Sequence, residues 1–176
     1  MAEKFVIFDR DGTLIDHVHH LVDLSQVKIK SDAIPALKIL RDFGFKFGLI
    51  TNQSVVGRGL ASLTQVEEIN SYITDYFMND DLNFEFVLMC PHIPEDNCNC
   101  RKPNIDLGKN AINQYDILLE HSYFIGDQET DMQFGDNLGL IPVQITEVSN
   151  KSKIAVHCSN NLLSAVTWVI DNDKRK

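Results

Sequence analysis

The chain has 176 residues, 44% of them hydrophobic, and a formal charge of −9 at pH 7, which suits one domain, residues 1–176, with a substantial core. An acidic balance with scattered basic residues excludes a broad nucleic-acid or anionic-membrane surface, so an anionic ligand must be met at a focused site. No stretch approaches the roughly 20 apolar residues of a membrane helix, and residues 1–4 lack the features of a secretory leader, so the expected location is the cytoplasm.

Residues 4–8 (KFVIF) form a short β-rich run that ends in the polar turn Asp9-Arg10-Asp11-Gly12-Thr13. Residues 31–43 place Ile34, Leu37 and Leu40 at helical spacing, with Gly44 positioned to end the helix. A strand over 45–50 follows and again runs into polar residues, Thr51-Asn52-Gln53-Ser54. Thr64 and Glu67 predict a capping box that opens a helix to about Met78, with Val66, Ile69, Ile73 and Phe77 on one face. A third strand over 84–89 leads into a Pro-, Cys- and Asn-rich loop over 90–103, and a helix over 106–115 follows. A fourth strand, 122–125, stops at Gly126-Asp127. A helix over 131–138, a strand over 141–145 and a helix over 162–170 come next, and the charged residues 171–176 are expected to fray.

Strands alternating with helices predict an α/β fold, a Rossmann-like parallel sheet with helices on both faces. Open sheets of this kind bind ligands outside the carboxyl ends of their strands. The polar clusters at Asp9, Thr51, Cys90 onward and Asp127 all fall at such ends.

Asp9 and Asp11 sit two apart where a buried strand emerges, so extended backbone aims both carboxylates to one side. Close carboxylates repel unless a cation binds or one takes a proton. Both remedies serve phosphoryl transfer: Mg²⁺ offsets charge, one carboxylate attacks, and the other carries a proton. Thr51 and Asn52 offer neutral donors for phosphate oxygens, Lys102 a balancing charge, and Asp127 and Asp131 further oxygens for an Mg²⁺ shell with Asp9. Taken singly, each cluster has a plainer explanation: an Asx-type turn, a loop start, a solvated basic pair, a helix cap.

Cys90, His92, Cys98 and Cys100 give a Cys3His set in one short loop, the ligand number and type of a closed structural zinc site, with iron or a redox pair as alternatives. Such a loop would hold Arg101 and Lys102 toward the phosphate. Cys158 stands alone and is expected to be a buried thiol.

The order of these clusters (an acid pair, then Thr/Asn, then Lys, then a second acid pair) resembles the haloacid dehalogenase superfamily of phosphotransferases, over about residues 5–145. The resemblance implies a HAD-like fold with Asp9 as nucleophile and Asp11 as general acid/base whose backbone carbonyl also binds Mg²⁺. It further implies that Thr51 and Lys102 position the phosphoryl group, that Asp127 is a metal ligand and that Asp131 is a second acid. The Cys-His loop looks like that of the zinc-bearing subgroup holding heptose 1,7-bisphosphate and histidinol-phosphate phosphatases. No insertion here is long enough for a large cap domain, so residues 17–24, 55–60 and the zinc loop should form the mouth. His17, His19 and His20 are expected to be polar surface or substrate contacts.

The expected substrate is a small phosphorylated metabolite handled by a monomer. Arg58 and Arg101 flank the phosphate site and favour a sugar bisphosphate, whose second phosphate needs a cationic anchor. The resemblance of residues 51–59 to the heptose enzymes points to D-glycero-D-manno-heptose 1,7-bisphosphate. Histidinol phosphate is the alternative, for which Asp16, Asp23, Glu95 and Asp96 could supply carboxylates. A catalytically idle phosphate- or partner-binding domain is the reading from a different class.

Overall fold

In the computed structural model, which describes residues 2–175, the chain runs β1 (Phe5–Phe8), α1 (Ala33–Asp42), β2 (Lys46–Asn52), α2 (Leu63–Met78), β3 (Phe84–Cys90), α3 (Asp106–Tyr115), β4 (Tyr123–Gly126), α4 (Glu129–Leu138), β5 (Ile141–Ile145), β6 (His157–Ser159) and α5 (Leu162–Asp173). All described strand pairs are parallel, in the order β3-β2-β1-β4-β5-β6. This is the doubly wound arrangement, and its switch point lies between β1 and β4.

The central strand β1 is buried on both faces, which explains its unbroken apolar run. Val6 and Phe8 point into one core with Leu37 and Leu40 of α1, Ile73 of α2 and Val166 of α5. Phe5 and Ile7 point into the other with Ala111 of α3 and Phe134 of α4. The helices therefore cover both faces, as the alternation predicts. Residues 9–32 and 53–62 contain only one short 3-10 turn, Leu24–Gln26, and no added domain.

Three local expectations are corrected. The capping box of α2 is Ser62 with Gln65: Ser62 Oγ accepts from the Gln65 amide at 3.1 Å, and Gln65 Oε1 accepts from the Ser62 amide at 2.8 Å. Thr64 and Glu67 already lie inside the helix. The last helix runs through Asp173 instead of fraying, because Asp173 accepts from Lys4 Nζ and contacts His121 Nδ1, both at 2.9 Å. The third is β6, a sixth strand whose residues His157, Cys158 and Ser159 carry no apolar run and form a strand through pairing with β5. Cys158 there is half-buried. Asp32, the residue before α1, accepts from the amides of Leu162 and Leu163 at 2.7 and 3.1 Å and so caps the start of α5 across the fold.

Candidate active site

Asp9 is the first residue beyond β1, beside the switch point, and its amide donates to the Ile125 carbonyl of β4 at 2.9 Å. Lys102 reaches it from the loop after β3. Its Nζ lies 2.7 Å from Asp9 Oδ1 and 2.7 Å from Asp131 Oδ1, and donates to the Ile50 carbonyl at 2.8 Å. All three charged residues are buried: Asp9 is 7% exposed, Lys102 3% and Asp131 1%. Asn52, at the end of β2, binds the Lys102 backbone at both ends of its amide, accepting from the Lys102 N–H at 3.0 Å and donating to its carbonyl at 3.1 Å. Asn52 thus fixes the lysine loop, and it also lines the cavity that holds Asp9, Thr51 and Lys102.

Asp131 does two things at once. Its second oxygen accepts from the Gln128 amide at 3.0 Å, which caps α4, so the helix start and the lysine are positioned by one carboxylate. Asp127 brings a third acid. One oxygen takes the Gln128 side chain at 2.6 Å, and Oδ1 is buried with no hydrogen-bond partner. Gly12 makes room for it: φ is +81°, and a Cβ there would overlap the Asp127 carboxylate.

Carboxylate oxygens of Asp9, Asp127 and Asp131 lie within 4.8 Å of one another. Burial pushes Asp9 up to about 7; Lys102 opposes this, and the charges of Asp131 and Asp11 add to it. Burial also raises Asp127, against the Gln128 hydrogen bond. For Lys102, burial disfavours the ammonium, but Asp131 and Asp9 outweigh it and hold it above the ordinary lysine range. With all three carboxylates ionised, one ammonium leaves two negative charges in a low-dielectric site. An unpartnered buried oxygen, an oxygen-only donor set and a charge of −2 fit a hard divalent cation, for which octahedral Mg²⁺ places its ligand oxygens roughly 3–4 Å apart.

Asp11 lies outside that group. Its carboxylate is gripped by Arg10, with Nε at 2.9 Å and Nη2 at 3.2 Å, and by Gln53 Nε2 at 2.9 Å. Gln53 also donates to Thr51 Oγ1 at 2.9 Å and accepts from Arg10, whose Nη1 donates to Asn70 Oδ1 of α2 at 2.9 Å. Sequence reasoning missed Arg10, Gln53 and Asn70. A signal was present in Asn70, a polar side chain on the buried stripe of α2, where an amide needs a partner. Arg10 is 1% exposed, and such a cation is buried only with its hydrogen bonds satisfied.

The Cys-His loop closes on itself. Cys90 Sγ lies 3.6 Å from Cys98 Sγ, 3.1 Å from Cys100 Sγ and 3.6 Å from His92 Nδ1, which is 3.2 Å from Cys100 Sγ. These separations far exceed a disulfide bond of about 2.05 Å and approach the roughly 3.5–3.8 Å edges of a tetrahedral zinc site. Burial and the Cys100 hydrogen bond push the Cys90 thiol up. Burial also works to raise Cys98, but hydrogen bonds from Cys100 and Cys90 bring it to about 7. The donor set is compatible with zinc. Arg101 Nη1 donates to the His92 carbonyl at 3.1 Å, tying the basic pair to this loop.

Two chambers open here. One, of about 450 Å³, is lined by Asp9, Asp11, Thr51, Arg101, Lys102 and Asp127. The other, of about 290 Å³, holds Arg58 with His17, His19 and His20. The structure thus brings Asp9, Thr51, Lys102 and Asp127 together and separates Arg58 from Arg101.

The HAD-hydrolase-like family profile matches residues 99–156, a segment that includes Lys102, Asp127 and Asp131. The histidine biosynthesis bifunctional protein HisB of Blochmanniella floridana is 33% identical over 165 residues, covering 92% of this chain and 46% of that protein. Its counterpart in Legionella pneumophila is also 33% identical, covering 93% of this chain and 47% of its own. The chain therefore spans about half the length of these curated relatives. In fold it is similar to a D,D-heptose 1,7-bisphosphate phosphatase of B. bronchiseptica solved with magnesium and phosphate, with a TM-score of 0.86, 22% identity, and coverage of 96% of this chain and 99% of that one. Among the described residues, no helix is long and apolar enough to cross a membrane.

Proposed function

We propose that the chain is a haloacid-dehalogenase-like hydrolase, a phosphomonoesterase that attacks phosphorus with Asp9. The supporting observation is the buried Asp9–Lys102 pair beside the unpartnered Asp127 oxygen. Lys102 engages Asp9 Oδ1, so Oδ2 is the oxygen that attacks. As the Asp9–phosphorus bond forms and the ester P–O bond breaks, the leaving oxygen takes a proton from Asp11. Water, giving a proton to Asp11, then attacks phosphorus and releases Asp9 and inorganic phosphate. Thr51 and Lys102 hold the phosphoryl oxygens, and Arg101 faces the substrate. Asp9, Asp127 and the Asp11 backbone carbonyl would hold Mg²⁺, which supplies charge neutralisation and orientation at phosphorus when bound. Asp131 acts by placing Lys102. Zinc in the Cys90, His92, Cys98 and Cys100 site stiffens the loop that carries Arg101 and Lys102, and the whole chain works as a single cytoplasmic, monomeric domain.

Two substrates compete. D-glycero-D-manno-heptose 1,7-bisphosphate, cleaved at the 7-position, is favoured by the two arginines and by the heptose phosphatase among the fold neighbours. Histidinol phosphate is favoured by the histidine-biosynthesis relatives. Phosphate release from both, measured with wild type and Asp9→Asn, tests the reading. We expect no turnover by the folded variant, because only the attacking oxygen is lost; turnover near the wild-type rate would refute the role of Asp9.

A further inference from the structure

α2 buries Val66, Ile69, Ile73 and Phe77, and Asn70 shares that face at 4% exposure. A leucine would fit the same stripe with better helix propensity and no amide to desolvate, so the side chain is explained by its bonds. Those bonds run in one direction. Asn70 Nδ2 donates to the Met89 sulfur at 3.6 Å, and Oδ1 accepts from Arg10 Nη1 at 2.9 Å. Arg10 Nη2 donates to Gln53 Oε1 at 2.8 Å, and Gln53 Nε2 donates to Asp11 Oδ2 and Thr51 Oγ1, both at 2.9 Å. A guanidinium can only donate, so each amide must turn its oxygen towards Arg10 and neither can flip.

Arg10 grips Asp11 side-on, with Nε on one carboxylate oxygen and Nη2 on the other, so the heading of the carboxylate follows the plane of the guanidinium. That plane is held from two separate places. Gln53 takes the Nη2 end from the end of β2, where its own backbone amide donates to the Cys90 carbonyl at 2.7 Å. Asn70 takes the Nη1 end from a helix 60 residues away in the chain. Asp11 lines the reaction cavity while Arg10 and Asn70 do not, so Asn70 can reach a substrate only through them. We infer that Asn70 is a positioning residue for the proton transfer: by holding the far edge of the Arg10 guanidinium, it keeps the Asp11 carboxylate aimed at the leaving oxygen.

This rests on the phosphatase reading, in which Asp11 gives its proton to the leaving oxygen. A proton donor must stand within hydrogen-bond reach of the atom it serves, and a misplacement of about 1 Å can cost about 100-fold in rate. The loss should fall where the proton is needed. Heptose 1,7-bisphosphate cleaved at the 7-position and histidinol phosphate both release a primary alcohol, whose oxygen must be protonated as it leaves. The phenolate released from p-nitrophenyl phosphate is stable without a proton.

The test compares kcat/KM for p-nitrophenyl phosphate with that for the alkyl ester that wild type hydrolyses. Asn70→Leu should lower the alkyl value by at least about 20-fold and the aryl value by no more than about threefold. Asn70→Asp, which keeps an oxygen on Arg10 Nη1, should return the alkyl-to-aryl ratio to within about threefold of wild type. Equal losses on the two esters, no loss on either, or a ratio no better in Asn70→Asp than in Asn70→Leu would overturn the role of Asn70 alone. If the leucine variant does not fold, Asn70→Ser makes the same comparison, because its shorter side chain also withdraws the acceptor from Arg10. The phosphatase reading fails separately, if wild type hydrolyses neither alkyl ester or if Asp9→Asn turns over like wild type.

Discussion

Replacing Lys102 by methionine keeps the side chain's length and removes the ammonium between Asp9 and Asp131. Both carboxylates then stay buried without their counter-charge. Removing one partner of a buried ion pair costs about 3–5 kcal/mol, and proton uptake by one of the acids favours the lower end, about 3 kcal/mol. At about 2–4 °C per kcal/mol for a domain of this size, the melting temperature in chelator should fall by roughly 10 °C. Mg²⁺ should then raise the variant's melting temperature more than that of wild type, because the cation supplies the counter-charge that the lysine no longer gives and displaces the extra proton; saturation at about 100 times Kd is worth about 2.7 kcal/mol. Turnover should fall by at least about 100-fold, the usual loss when one preorganised charge on the transition state is removed. Thermal melts with and without Mg²⁺ check the stability argument. A variant melting within about 2 °C of wild type in chelator, or gaining no more from Mg²⁺ than wild type does, would refute the electrostatic account of this site.

Gly12→Ala should weaken Mg²⁺ binding and turnover together, since its Cβ would overlap the Asp127 carboxylate and the left-handed backbone adds about 1 kcal/mol of strain; unchanged Mg²⁺ dependence would count against the placement of Asp127. Purified protein should carry about one zinc per chain by elemental analysis, and Cys98→Ser should lose that zinc and melt earlier while still requiring Mg²⁺. Asp173 provides a pH test. Burial alone would raise its carboxyl, but the Lys4 and His121 hydrogen bonds prevail and hold it below the ordinary range. Its stabilisation is therefore present above the unfolded carboxylate pKa and is lost as pH falls through the lower folded value. Asp173→Asn should accordingly lower the melting temperature at neutral pH, and the gap to wild type should close in acid; a gap that persists there would contradict the ion-pair account.

The residues of this site were legible in the sequence because each sits where an apolar strand stops. KFVIF ends on Asp9, and the strands through Ile50 and Ile125 end on Thr51 and Asp127, so period and polarity alone place these side chains at one edge of a parallel sheet. The Cys-His loop was equally plain, since four ligands within eleven residues need no long-range folding to meet. What each side chain does there depended on distances between segments far apart in the chain. Only the fold could show that Asn52 clasps the backbone of Lys102, 50 residues away, and that Arg10 holds Asp11 while reaching Asn70, 60 residues away. It also made β6 a strand, by lending β5's hydrogen bonds to three residues with no apolar pattern, and moved Arg58 and Arg101 into different chambers. Hydrophobic periodicity records which face of an element is buried and where the element ends. The partners of a buried polar group are set by the packing of separate elements, and local sequence carries no record of that packing.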